Sequence, residues 1–302
     1  MRFEGIYTPV ITPFREDFSI DFDAYMASID YLIEAGVHGV VVGGTTGEYY
    51  VESHDERVRL LEIAVARCAG RVPVIFGTGS IDPNESIRLA RAAAEYKADA
   101  ILVATPPYSL PTEHEVAQHV LAVDRAANLP VMLYNYPARM GTVMGEACLD
   151  EVLASPNIRS IKESSGDINR LHLLMQKYPD LQTSCGMDDQ ALEYFAWGAR
   201  SWVCAGSNFL AEEHIALYDA CVVEGNFDKG RRIMGAMMPL MSVLEQGGKF
   251  IQSVKHGVTL AGRFAGVTRK PLLGLDEAEQ QQLETVIRTL KASIAAIQKE
   301  GK

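Results

Sequence analysis

Eight short apolar runs, each followed by a segment with helical spacing, constrain this chain more than any other feature. They read IYTPVIT, GVVVGG, VPVIFGT, AILVATP, PVMLYNY, IRSIKES, QTSCGM and SWVCAG, and the last unit closes by residue 224. Strands that are apolar almost throughout must be covered on both faces, which argues for a parallel sheet with helices outside it. Eight such units match a (β/α)₈ barrel of the TIM type, in the α/β class. Helix starts are marked by Ser53 with Glu56, Asp82-Pro83 with Glu85, and Thr112 with Glu115, each a capping residue with an acid three positions on. From about Asn226 the pattern becomes purely helical. The expected organisation is a barrel over 1–224 and a C-terminal helical layer over 225–302, packed on the barrel rather than folded alone.

Composition narrows the function. The 302 residues are 48% apolar and 22% charged, enough for one large core, and the formal net charge is −11. No basic stripe is present, so nucleic acid is not an expected partner. No apolar run approaches membrane-spanning length, and the opening MRFEGIYTPVITPF lacks the order of a signal peptide, so the expected location is the cytoplasm with no membrane contact. The five cysteines lack a C-x-x-C pair, and an odd number suits a reducing compartment. Cys185 and Cys204 sit in strand-like runs and read as small buried hydrophobes. Neither His54 with Asp55 and Glu56 nor His114 with His119 offers two ligands one helical turn apart, so no metal is expected.

Barrel active sites lie at the carboxyl ends of the strands. There the chain places GGTTGE (43–48), TPPY (105–108), YNYPAR (134–139) and, within IRSIKESSG, Lys162. Strand alternation puts Ile158, Ser160, Lys162 and Ser164 on one face and Arg159, Ile161 and Glu163 on the other. A lysine on the lumen face is partly desolvated, which favours the neutral, nucleophilic amine. A tyrosine hydroxyl within reach can move protons for it. A Gly-Thr-Thr-Gly turn can offer backbone N–H groups and hydroxyls to a carboxylate, and Arg139 supplies a fork for another.

GTTGE, the tyrosine of TPPY, YNYPARMG and IKESSG, in this order and spacing, resemble the class I aldolase-like family that contains dihydrodipicolinate synthase and N-acetylneuraminate lyase. The resemblance covers nearly the whole chain. It implies that Lys162 forms a Schiff base with a 2-oxo acid such as pyruvate, without cofactor, and that Tyr134 relays protons. It further implies that Thr45 and Thr46 contact substrate, and that Thr46 and Tyr108 complete a Thr–Tyr–Tyr relay, often across a subunit interface. Arg139 would meet a second carboxylate, Gly186 and Val203 would line the substrate, and the assembly would be a homotetramer.

The chain also departs from the family pattern. Tyr49, Tyr50, Ile81 and Pro107 stand where lysine-inhibited synthases carry other residues, so feedback by lysine is not expected. Ser164 replaces the sugar-side threonine of sialic acid lyases, and GMDD (186–189) resembles the acidic pair of both branches. The expected function is a Schiff-base lyase of catabolism, performing aldol cleavage or condensation, dehydration or deamination. A lysine-insensitive 4-hydroxy-tetrahydrodipicolinate synthase and an inactive 2-oxo acid-binding barrel are the alternatives.

Overall fold

A computed structural model describes residues 1–300, so Gly301 and Lys302, at the end of the expected C-terminal layer, lie outside the described residues. The strands are β1 (Gly5–Pro9), β2 (Gly39–Val42), β3 (Val74–Gly77), β4 (Ala100–Ala104), β5 (Val131–Asn135), β6 (Ile158–Glu163), β7 (Gln182–Cys185) and β8 (Ser201–Val203). They pair in parallel in chain order, and β8 pairs back onto β1 to close the barrel. Apart from the exposed Arg159 of β6 and the half-buried Gln182 of β7, each run forms a strand buried on both faces, as its lack of alternation required.

Two of the three helix starts form complete capping boxes. Ser53 and Glu56 bond reciprocally at the head of the helix His54–Cys68, and Thr112 and Glu115 do so at the head of Glu113–Ala127. At the third, Asp82 caps the N–H of Asn84, but Glu85 turns away to bond Nδ1 of His54 at 2.7 Å and Nε of Arg88 at 2.7 Å. Two cationic or proton-bearing partners outcompete one backbone N–H.

Three apolar clusters fill the molecule. The lumen holds Tyr7, Val41, Ile75, Leu102, Met132, Tyr134 and Val203. A second cluster lies between the outer faces of the strands and the first helices. The third joins Ile6, Trp202 and Phe209 of the β8–β1 region to Met237, Leu240, Leu283 and Ile294 of the late helices. Those helices span Phe227–Met241, Phe250–Leu260 and Glu277–Glu300, and they share their core with the barrel. Pro239 lies inside the first of them, which runs on into an i→i+5 turn, Ser242–Gln246. All five cysteines are buried and free. Among the described residues no helix is long and apolar enough to cross a membrane.

β6 departs from simple alternation. Val131 faces Ile158 but Met132 faces Ser160, so Arg159 is an extra residue. A bulge of this kind shifts the side chains that precede it. Ile158 therefore packs in the same outer cluster as Ile161 instead of sharing the lumen face with Lys162. Beyond the bulge the alternation holds, with Ser160 and Lys162 inward.

Candidate active site

The ends of β2, β5, β6, β7 and β8 surround a cleft that opens to solvent. Lys162 forms part of its wall, on β6 directly beside Tyr134 of β5. Lys162 is only 9% exposed. Its Nζ lies 4.4 Å from the centre of the Tyr134 ring and makes no hydrogen bond or ion pair with any described residue. Burial lowers its pKa, against the fields of Asp188 and Glu245, which raise it. The amine is thus held nearer to its neutral form than a surface lysine, the condition a nucleophile requires.

Tyr134 is buried, and burial pushes its phenol up to about 12, opposed chiefly by the Thr45 hydroxyl and then by Arg139. Such a phenol stays protonated at neutral pH and can pass a proton on only in exchange for another. Thr45 is the threonine that faces it. Thr46, the threonine expected to supply the relay hydroxyl, is its neighbour in the tight turn Thr45–Gly47. Thr45 Oγ1 is buried without a hydrogen-bond partner among the described residues, and both threonines line the cleft. The turn is anchored beneath by Glu48, fully buried in the left-handed conformation at φ 63°, whose carboxylate pairs with Lys255 at 2.6 Å. The GTTGE acid therefore serves the shape of the turn.

Gly186 and Val203 both line the cleft. A side chain at Gly186 would place Cβ 2.0 Å from Ser164 Oγ and 2.8 Å from Lys162 Cγ, so only glycine lets β7 pass this close to the lysine. Gly186 N–H donates to the carbonyl of Glu163 at 2.9 Å, and Ser164 Oγ donates to the carbonyl of Gly186 at 3.0 Å, which ties the ends of β6 and β7 together. Arg139 stands at the rim on the short helix Pro137–Met140, its guanidinium 5.4 Å from the Tyr136 ring centre and free of any ion pair among the described residues. Tyr108 does not reach the cleft. It follows β4 on a loop, is 90% exposed and adopts φ 76°.

The sequence reading missed Glu245, Tyr136 and Phe250, which also line the cleft, and left Asp188 without a role. Asp188 is buried and accepts from Trp202 Nε1 at 2.8 Å and from Ala205 N–H at 3.2 Å. Glu245 comes from the i→i+5 turn of the late helices. Its only local signal is an acid just before Gly247-Gly248 in a segment already disturbed by Pro239. Among the described residues no group of three or more His, Cys, Asp or Glu is placed to hold a metal ion.

Comparison with known proteins agrees with this geometry. The family model described as "Dihydrodipicolinate synthetase family" matches residues 2–290. A 4-hydroxy-tetrahydrodipicolinate synthase of Exiguobacterium sibiricum is 35% identical over 293 residues, which covers 97% of this chain and 99% of the relative. The structure of the 4-hydroxy-tetrahydrodipicolinate synthase from Methylacidiphilum fumariolicum SolV superposes with a TM-score of 0.93 at 27% identity, over 98% of this chain and 99% of that one. YagE of E. coli K12, a prophage protein of the dihydrodipicolinic acid synthase family solved in complex with pyruvate, superposes with a TM-score of 0.88 at 30% identity, over 96% and 99%.

Proposed function

We propose, from the premise that this chain belongs to the dihydrodipicolinate synthetase family and is a lyase of the Schiff-base-forming kind, that Lys162 is its Schiff-base residue and that pyruvate or a related 2-oxo acid is its substrate. One observation carries the reading: a lysine nine-tenths buried at a strand end, without a hydrogen-bond or ion-pair partner, in the wall of a polar cleft. The neutral amine adds to the C2 carbonyl, water leaves, and the iminium withdraws electrons from the C2–C3 bond region. Loss of a C3 proton then gives an enamine, from which a bond at C3 or C4 forms or breaks. Tyr134 carries protons to and from the oxygen and nitrogen, with Thr45 aligning its phenol. The N–H groups and hydroxyls of the Thr45–Gly47 turn hold the substrate carboxylate, as Thr45 and Thr46 were expected to do, and Gly186 and Val203 shape the cleft beside the imine. Arg139 at the rim suits a second carboxylate or another anionic end of the partner molecule.

The direction we favour is catabolic. Tyr49 and Tyr50 and the exposed Ile81 mark a surface unlike that of lysine-regulated synthases, and an acidic group in the cleft favours hydroxyl-bearing substrates. The names of the similar proteins support a second reading, condensation of pyruvate with aspartate semialdehyde without lysine feedback. The late helices belong to the functional unit in either case, since Leu244, Glu245, Gly248 and Phe250 wall the cleft. The working form we propose is a cytoplasmic homotetramer in which Tyr108 reaches the relay of a neighbouring subunit. Its support is that Tyr108 and Leu110, both exposed and apolar, hold left-handed backbone at φ 76° and φ 51° that costs a side-chain-bearing residue about 1–2 kcal/mol. A contact elsewhere offsets that strain.

Borohydride added with pyruvate tests the core of the reading. A reduced adduct on Lys162, located by mass spectrometry, is the expected result; label on another lysine, or none, overturns it. Turnover assays with aspartate semialdehyde plus pyruvate, and with longer 2-oxo acids alone, separate the two directions.

A further inference from the structure

The loop that leads from β5 to the helix Glu146–Val152 carries two residues of the cleft, Tyr136 and Arg139. It leaves the barrel after Asn135, the last residue of β5, and its far end returns to the same side chain. The N–H of Met144 donates to Asn135 Oδ1 at 3.0 Å, which closes the loop at its base. The other half of the amide is also engaged. Asn135 Nδ2 donates to Glu163 Oε1 at 3.0 Å and to Oε2 at 2.8 Å. Glu163 accepts the N–H of Ser165 at 2.8 Å as well, and pairs with Arg170 Nε at 3.6 Å. Arg170, on the helix Ile168–Lys177, turns back to the loop, where its Nη2 donates to the carbonyl of Met144 at 2.8 Å. Asn135, Glu163, Arg170 and Met144 thus form a closed ring, with Asn135 and Glu163 both buried.

Asn135 lies opposite Glu163 in the sheet, one step beyond the opposed pair Tyr134 and Lys162. Strand alternation turns Asn135 and Glu163 outward where Tyr134 and Lys162 turn into the lumen. The ring therefore stands behind the cleft, and what it grips is the loop. A carboxylate accepts and never donates, so Glu163 fixes the amide with Nδ2 toward itself and Oδ1 toward Met144. The reverse orientation would set oxygen against oxygen at Glu163 and N–H against N–H at Met144. One buried acid thereby decides whether the loop can close. Arg139 sits near the middle of that loop, with no ion pair among the described residues and only the Tyr136 ring, 5.4 Å away, beneath its guanidinium. Its place is set by the anchor of the loop.

We propose that Glu163 and Asn135 are positioning residues for Arg139: by closing the loop they hold the guanidinium where it meets the far carboxylate of a substrate, and so set the preference for a 2-oxo diacid over a monoacid of the same length. This rests on the readings of Lys162 as the imine residue and Arg139 as the anion site.

Glu163→Gln keeps the shape of the ring and breaks its logic. In either orientation the new amide turns its NH₂ toward that of Asn135 and toward a second donor, Ser165 N–H on one side or Arg170 on the other. Turning Asn135 over only passes the conflict to Met144. Adding Asn135→Asp supplies a carboxylate that accepts from the new amide and from Met144 N–H alike. The readout is borohydride trapping at Lys162, titrated with pyruvate, 2-oxopentanoate and 2-oxoglutarate, the last two differing by the terminal carboxylate. Wild type should half-saturate at a lower concentration of 2-oxoglutarate than of 2-oxopentanoate, and Arg139→Ala should erase that preference. Glu163→Gln should cut it by about tenfold or more, as small displacements of a positioned contact do, while pyruvate stays within about twofold of wild type. The double variant should regain it. A preference that survives Glu163→Gln, a loss shared equally by pyruvate, or a double variant no better than the single one overturns the clamp and leaves Arg139 standing. No preference in wild type, or one that Arg139→Ala leaves intact, overturns the Arg139 reading and the clamp with it, and failure to trap pyruvate at all overturns the reading of Lys162. Wild type alone gives a check that does not depend on any variant folding: Met144 N–H should exchange with deuterium more slowly than the N–H groups of Thr142 and Val143 beside it, and equal rates overturn the closed base of the loop.

Discussion

Lys162 and Lys255 are both buried, and the fold treats them in opposite ways. Lys255, on the helix Phe250–Leu260, pairs with Glu48 at 2.6 Å, donates to the carbonyl of Val267 at 2.5 Å and lies 4.5 Å from the Phe14 ring centre. Arg269 extends the cluster, its backbone N–H bonding Glu48 at 3.0 Å and its guanidinium holding Val51 O and Glu56. Burial lowers Lys255 and raises Glu48, and each partner's charge offsets part of the other's shift. Lys162 has only an aromatic face and more distant acids. A lysine with a full set of partners is a strut, fixing the turn that carries Thr45 and Thr46. A lysine without partners costs stability and keeps its lone pair available. The contrast separates architecture from chemistry using one residue type.

The largest effect that would break this contrast is on turnover. Lys162→Ala should lower kcat on the order of 10⁴-fold or more while the thermal midpoint holds, because a nucleophile is lost and no contact of the fold depends on it. Lys162→Met should raise the midpoint, since an apolar chain of similar length replaces a buried amine. That gain carries a pH signature. The folded-state pKa of Lys162 lies below the ordinary lysine value, so the unfolded chain binds the extra proton between the two and wild-type stability rises as pH climbs through that window. The Met advantage should be greatest near neutrality and shrink at alkaline pH, as calorimetry can follow; a gap that widens would mean the amine is stabilised in the fold.

Next in size is the strut. Lys255→Met should cost about 3–5 kcal/mol by leaving Glu48 buried and uncompensated, and Lys255→Met with Glu48→Leu should recover most of it in denaturant titrations. A single variant as stable as wild type would show that the pair is not what holds the Thr45–Gly47 turn. Smaller again is the rim. Arg139→Lys keeps the charge and loses the fork, for about 1.5–3 kcal/mol in kcat/KM toward the second carboxylate, with pyruvate trapping at Lys162 unchanged. Unaltered kcat/KM would remove Arg139 from substrate binding. Millimolar L-lysine should have no effect on activity; dose-dependent inhibition would mean that Tyr49, Ile81 and Pro107 do not abolish regulation.

What was legible in the sequence follows from range. Strand number, the barrel and the capping boxes at Ser53 and Thr112 are set by neighbours a few residues apart, and strand ends in a barrel converge by topology, so Lys162, Tyr134, Thr45, Arg139, Gly186 and Val203 could be gathered in advance. The Glu48–Lys255 pair and the position of Glu245 depend on segments distant in the chain that meet only after folding, and neither leaves a local pattern. One misreading was local: an inserted residue, Arg159, moved Ile158 to the outer cluster.

The division of the cleft between barrel and late helices has an evolutionary consequence. The groups that would make the imine sit on strand ends locked into a closed sheet, while the wall near Glu245 sits on an irregular turn bounded by Pro239 and Gly247-Gly248. Mutations there can redraw what the enzyme accepts without disturbing how it begins each turnover. Lineages carrying this scaffold can therefore drift between metabolic roles by exchanging one turn of helix, and sequence likeness spread across the barrel will follow ancestry more faithfully than it follows diet.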